Sequence, residues 1–270
     1  MPVTTQVAPF DTVTANIAID HSQIDLWQAD PAVWRKPEQI AYLRSLLQSA
    51  ELRVIDQICR QEERHNKLVA RALLRSVLAQ YTGVPASAVQ LGTGLQGKPY
   101  LASPVTNLQF NLSHTPGRIV LAICQNRELG VDVETVRPAR TRGAGNTNAS
   151  YLSAQEQQLL QPLAGLAKQQ RLCDFWSVKE SFVKASGAGL TMPLHTLEVA
   201  LPTDAHQQVQ LTGAAAKHNN WRSWLWRQGD YLRQALTIRE EKSQATYFRT
   251  FHFFPKWQVN ADFFCQTASL

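Results

Sequence analysis

FWSVKESFVKASGAGL, Phe175–Leu190, reads as one amphipathic helix that exits through Gly187 and Gly189. At 3.6 residues per turn, Trp176, Glu180 and Lys184 are spaced by four and stack on one face over roughly 12 Å. A carboxylate and an ammonium therefore point the same way. Taken alone, they fit two readings. One is an exposed i,i+4 ion pair worth about 0.2–0.5 kcal/mol beside a core tryptophan. The other is part of a site that uses an acid and a cation together.

Upstream, Asn107–Val136 is the most strand-like part of the chain. Leu108, Phe110 and Leu112 alternate, Ser113-His114-Thr115-Pro116-Gly117 reads as a turn, and Ile119–Cys124 as a strand. Leu129–Glu134 then reads as the returning arm of a hairpin, with Asp132 and Glu134 on one face. Carboxylates about 5–7 Å apart repel by a few kcal/mol at an effective dielectric near 20. They either face water at a strand end or need a compensating cation. No Cys or His stands in ligand register, so an oxygen-only set suits magnesium better than zinc.

Other segments follow from local signals. Residues 1–20 read as a disordered or loosely packed leader, and Ile24–Trp27 as an edge strand. Pro37–Ser49 has the spacing of a short helix, and Glu51–Tyr81 that of a long one stopped by Gly83. Arg53, Arg60, Arg64, Lys67, Arg71 and Arg75 make its basic face, either solvated or a wall for phosphates. LGTGLQGKPYL (91–101) marks turns, with Lys98 in one of them; it is not a Walker loop, because proline follows the lysine. Arg137–Ser150, small, polar and basic, reads as a mobile connection. Ser153-Ala-Gln-Glu156 is a capping box that opens a helix through Leu160, and the helix holding Phe175 begins at Arg171. Leu194–Leu201 and Val209–Leu211 read as strands, and Trp221–Trp226 with Tyr231–Ile238 as a hairpin. The aromatic last thirty residues read as packed onto the body.

The 270 residues suffice for one large or two medium domains with a buried core. Hydrophobic residues at 44% and charged ones at 18% are ordinary for a globular protein. No apolar run is long enough to span a membrane, and MPVTTQVAPFDTV lacks the pattern of a signal peptide, so a cytoplasmic location is expected. Cys59, Cys124, Cys173 and Cys265 are scattered, which argues against a zinc or disulfide framework and for buried free thiols. The net charge of +6 attracts polyanions, but the basic residues form no run and no nucleic-acid signature is present.

In order along the chain, GKP, FNLSH, GVDVE and WSVKESFVKASGAGL resemble the 4'-phosphopantetheinyl transferases of the Sfp (surfactin-synthetase) type. The resemblance covers Glu51–Ile238. It implies an α+β fold of two similar lobes in pseudo-twofold arrangement, each a small antiparallel sheet packed on a long helix. The expected divisions are a leader (1–20), an N-terminal lobe (21–127), a C-terminal lobe with the metal site (128–240) and an extension packed on the body (241–270).

The activity implied is magnesium-dependent transfer of the phosphopantetheine arm of coenzyme A to a serine of an apo carrier protein, releasing adenosine 3',5'-bisphosphate. Asp132, Glu134 and Glu180 match the metal ligands. Lys184 matches the lysine that meets the phosphate or leaving group. Lys98, Ser113, His114 and Lys179 match contacts to coenzyme A, and Arg53 is the nearest match for its 3'-phosphate. Arg71 and Arg75 look family-like but also suit lobe packing or a salt bridge. The expected partners are acidic acyl or peptidyl carrier proteins, with no nucleic acid or membrane, and the chain is expected to act as a monomer. Two other functions use the same residues: a non-catalytic module holding coenzyme A or a carrier, and a hydrolase of nucleotide pyrophosphates.

Overall fold

The structure is a computed structural model that describes residues 17–94, 96–136, 149–189, 191–202, 208–216, 220–240, 246–255 and 267–268. It divides into two compact units, Met1–Asn126 with Gln244–Leu270, and Arg127–Ser243. Both are α+β, and each packs a five-stranded sheet against a 22-residue helix. The expectations for residues 1–16, for 137–148 and for Trp257, Phe263 and Phe264 lie outside the described residues.

The first unit contains β1 (Gln23–Ala29), α1 (Pro37–Ser45), α2 (Ser49–Asp56), α3 (Gln61–Thr82), β2 (Gln90–Thr93), β3 (Pro99–Ser103), β4 (Leu108–Thr115) and β5 (Arg118–Gln125). Val69, Leu73 and Val77 of α3 share a core with Trp27, Phe110, Ile119, Leu121 and Ile123 of the sheet. Gly83 ends α3 in the left-handed region (φ 70°), its amide donating to Ala79 O. The long helix expected over Glu51–Tyr81 is broken between Asp56 and Gln61, so its arginines do not form one face. Arg75 is buried, donating to Glu51 at 2.5 Å and to the carbonyls of Ala86 and Val89, while Arg71 pairs with Glu51 at 3.1 Å. These two arginines join α2, α3 and the turn before β2.

The chain returns to this unit as β11 (Thr246–His252), which pairs in parallel with β1, and β12 (Thr267–Ala268), which pairs with β11. The order β12-β11-β1-β5-β4 makes β1 an interior strand, not the edge expected. Ile24 through Ala29 are accordingly buried on both faces. Asp25 within it is taken out of water and is matched by Arg249 of β11 through two bonds of 2.6 Å and by the Tyr81 hydroxyl. Phe251 stacks on Trp27 with centroids 4.4 Å apart, and Phe253 stacks on Trp34 at 4.5 Å. Residues 17–20 are not loose: Ile17 donates to Gln80 O at 2.9 Å, and Ile19 is buried.

The second unit holds β6 (Leu129–Thr135), α4 (Ala154–Leu160), α5 (Gly165–Ser186), β7 (Leu197–Ala200), β8 (Gln208–Gly213), β9 (Trp221–Gln228) and β10 (Leu232–Arg239), with sheet order β6-β10-β9-β8-β7. The expected hairpin between Ile119–Cys124 and Leu129–Glu134 does not form. β5 pairs with β4 and β1, whereas β6 pairs with β10. Asn126 (φ 55°) donates to Asn107 O and closes the first ladder, and Glu128 O accepts from Arg239 and opens the second. The capping box at Ser153 and Glu156 and the β9–β10 hairpin are present. α5 starts six residues before Arg171, at Gly165. Among the described residues no helix is long and apolar enough to cross a membrane.

Phe251→Ala removes the stack that docks β11 on β1. It is expected to destabilise the first unit by about 3–5 kcal/mol, read as a lowered urea midpoint. An unchanged midpoint would mean that β11 is not part of this core.

Candidate active site on β6 and α5

β6 alternates as a strand must, sending Gly130, Asp132 and Glu134 toward α5. The helix runs antiparallel to the strand and lies directly on it. A Cβ on Gly130 would stand 2.2 Å from Ser181 O and 2.3 Å from Ala185 N, so only glycine admits the helix backbone here. Below the helix, Ser181 Oγ bonds Thr237 Oγ1 of β10 at 2.7 Å, which in turn bonds Ser223 Oγ of β9 at 2.6 Å. These buried hydroxyls fix α5 along its axis and about it.

With the helix so placed, Lys184 Nζ donates to Asp132 Oδ1 at 2.6 Å, and Trp176 Nε1 donates to Glu134 Oε1 at 3.1 Å. Glu180 lies between them along the helix. Its Oε1 is buried without a hydrogen-bond partner. Burial pushes its carboxyl above the usual range; Lys184 opposes the shift and Asp132 adds to it. Asp132, Glu180 and Lys184 thus form one electrostatic group, with Glu134 at the next turn of the helix. Among the described residues no three Asp, Glu, His or Cys side chains converge as a metal cage. The donor chemistry nonetheless fits a hard cation: the oxygens are carboxylate, and a buried one on Glu180 lacks a proton donor.

Lys179 is not at this site. It is fully buried, and its ammonium is held by Glu156 at 2.7 Å and by the carbonyls of Tyr151, Leu194 and Leu197 at 2.8, 2.9 and 2.7 Å. One helical position from Glu180 turns the side chain about 100° into the core, so the expected contact with coenzyme A is corrected to a structural one. Cys173 is no nucleophile, since burial pushes its thiol up to about 12. Gly187 (φ 66°) is the left-handed cap of α5, with open space where a Cβ would stand.

The remaining expected residues belong to the first unit. Ser113 and His114 lie in β4 and not in a turn, which is confined to Pro116-Gly117; Ser113 is buried and His114 exposed. Lys98 directly precedes β3, its carbonyl accepting from Gly94 at 2.9 Å, and Arg53 is exposed on α2. Gly130 escaped the sequence reading although GVDVE carried the signal, a glycine between the apolar Leu129 and Val131 of a strand.

A family model described as the 4'-phosphopantetheinyl transferase superfamily matches residues 128–239, and one described as 4'-phosphopantetheinyl transferase, N-terminal, matches 32–126. The 4'-phosphopantetheinyl transferase HetI of Nostoc sp. is 31% identical over 193 residues, spanning 70% of this chain and 79% of that protein. The chain belongs to the 4'-phosphopantetheinyl transferase superfamily. A 4'-phosphopantetheinyl transferase of Bacillus subtilis is 30% identical over 56% of this chain, and the match spans 65% of that protein's length. The 4'-phosphopantetheinyl transferase Sfp of Bacillus subtilis is 28% identical over the same share of each. Among solved structures, a holo-[acyl-carrier-protein] synthase of Thermotoga maritima superposes at a TM-score of 0.34 with 19% identity, covering 43% of this chain and 64% of that one. Both the asparate-glutamate strand and the lysine-bearing helix fall inside the superfamily match.

Gly130→Ala is expected to drive α5 off β6 and lower stability by about 1–3 kcal/mol or more, measured by thermal unfolding; an unaltered Tm would refute the close approach. Glu180 gives a pH-dependent test. Its folded carboxyl holds a proton more tightly than the unfolded one, so the stability it contributes is full at low pH and lost as pH rises through its raised value. Without divalent cations, Glu180→Gln should therefore raise stability at pH 7. The gain should vanish below the ordinary glutamate range. A destabilised variant at pH 7 would contradict it.

Proposed function

We propose that the chain transfers 4'-phosphopantetheine from coenzyme A to a serine hydroxyl of apo acyl or peptidyl carrier proteins, with Mg2+ held by Asp132, Glu134 and Glu180. The observation that carries this reading is the Lys184–Asp132 ion pair beside Glu180, whose buried oxygen lacks a hydrogen-bond partner, within the span that matches the transferase superfamily. When bound, Mg2+ would neutralise charge on the pyrophosphate and act as a Lewis acid.

The chain's own groups account for the rest. The serine oxygen forms a bond to the phosphorus that carries the pantetheine arm, and the bond from that phosphorus to the bridging oxygen breaks, releasing adenosine 3',5'-bisphosphate. The carboxylate of Glu180 stands in this group and accepts the serine proton. Lys184, a partly exposed ammonium, offers its charge to the leaving phosphate. Asp132 holds that ammonium in place at 2.6 Å before substrate arrives. Lys98, Ser113, His114 and Arg53 are proposed for the phosphates of coenzyme A; Lys179 is withdrawn from that set. A net charge of +6 favours encounter with acidic carriers. The free thiols of Cys59 and Cys173 suit a reducing cytoplasm, and a single chain that supplies both units suits a monomer.

Incubation with coenzyme A, Mg2+ and a panel of apo carrier proteins should add the phosphopantetheine mass to at least one carrier. Asp132→Ala should lower the rate on the order of 100-fold or more while keeping the fold. No mass gain on any carrier, or undiminished transfer by the variant, would reject the assignment.

A further inference from the structure

Beside Glu134 lies a set of contacts that the proposed reaction does not use. The ammonium of Lys179 has three N–H donors and faces four acceptors, all of them from this chain. Burying a lysine is costly unless it is fully matched. Here the match ties α5 to the turn at Ala149–Tyr151, to α4 and to the segment entering β7. Glu156 is itself fixed by the amides of Ser153 at 2.8 Å and Val199 at 2.9 Å.

The consequence reaches Glu134 through two aromatic rings. Tyr151 is held at its carbonyl by Lys179 and at its hydroxyl, which donates to Leu172 O at 3.2 Å. Its ring meets Trp176 edge to face, with centroids 5.2 Å apart at 77°. Trp176, so backed, directs its indole N–H to Glu134 Oε1. Glu134 sits partly exposed near the end of β6, and the indole N–H is one of the contacts that set where its carboxylate points.

We infer that Lys179 is a positioning residue that acts through Tyr151 and Trp176 to fix the Glu134 carboxylate for a divalent cation. The inference rests on the proposed metal reading of Asp132, Glu134 and Glu180. It assigns the lysine of the VKES segment to the metal side of the reaction, without contact to coenzyme A.

The test uses Mn2+ as the probe, with its binding to the full chain followed by electron paramagnetic resonance of the free ion, and coenzyme A binding followed by calorimetry without divalent cation. Trp176→Phe keeps a ring against Tyr151 and removes the N–H. It should weaken Mn2+ binding about 10-fold, in the range typical of lost partners behind metal ligands. Lys179→Met should weaken it similarly, the double variant no more than either alone, and coenzyme A affinity should stay within about twofold. Weaker coenzyme A binding with normal Mn2+ binding in Lys179→Met would overturn the inference, as would normal Mn2+ binding in Trp176→Phe. If Lys179→Met does not fold, Tyr151→Phe, which frees the phenol end of the same tie, takes its place with the same expected direction. Asp132→Ala separates the two levels: Mn2+ binding that it leaves intact rejects the metal reading, and this inference with it.

Discussion

A strand and a helix can carry opposite charges in register only if their backbones approach closely enough for short contacts, and in the second unit one missing Cβ permits that. Gly130 lets the carbonyl of Ser181 and the amide of Ala185 settle on β6. From this contact follows the placing of Lys184 on Asp132 and of Trp176 on Glu134. The Ser181–Thr237–Ser223 hydroxyls hold the helix against sliding. A slip of one residue would turn each of these side chains by about 100°.

One carboxylate of the site, that of Glu180, is left incompletely matched by folding. Glu180 is desolvated without a proton donor for one oxygen, and Lys184 only partly offsets its charge. Such groups persist where another ligand supplies what folding leaves out, and they lower stability until it arrives. The core around Lys179 is the opposite case, with each donor matched within the chain. Two lysines five residues apart on one helix therefore serve different ends, because their azimuths differ.

Local signals made much of this legible in the sequence. The 3.6-residue period placed Trp176, Glu180 and Lys184 on one face, the capping box opened α4, and Gly83 and Gly187 ended the two long helices. Sheet partnership was not legible, because it is set by distant segments. β1 reads as an edge until β11, more than two hundred residues later, lies beside it. β5 and β6 read as a hairpin because they are close in sequence, yet their ladders close on β4 and β10. Lys179 read as a ligand contact only through its match to the family motif; its burial depends on carbonyls from Tyr151, Leu194 and Leu197 that no periodicity predicts.

On the proposed reading, the helix and strand together form one cation and phosphate site. Anomalous diffraction from crystals grown with coenzyme A and Mn2+ tests it most directly. A single metal peak is expected at coordination distance, about 2 Å, from carboxylate oxygens of Asp132, Glu134 and Glu180, with Lys184 on a phosphate oxygen. A metal peak away from these carboxylates, or bound coenzyme A with its pyrophosphate far from Lys184, would contradict it.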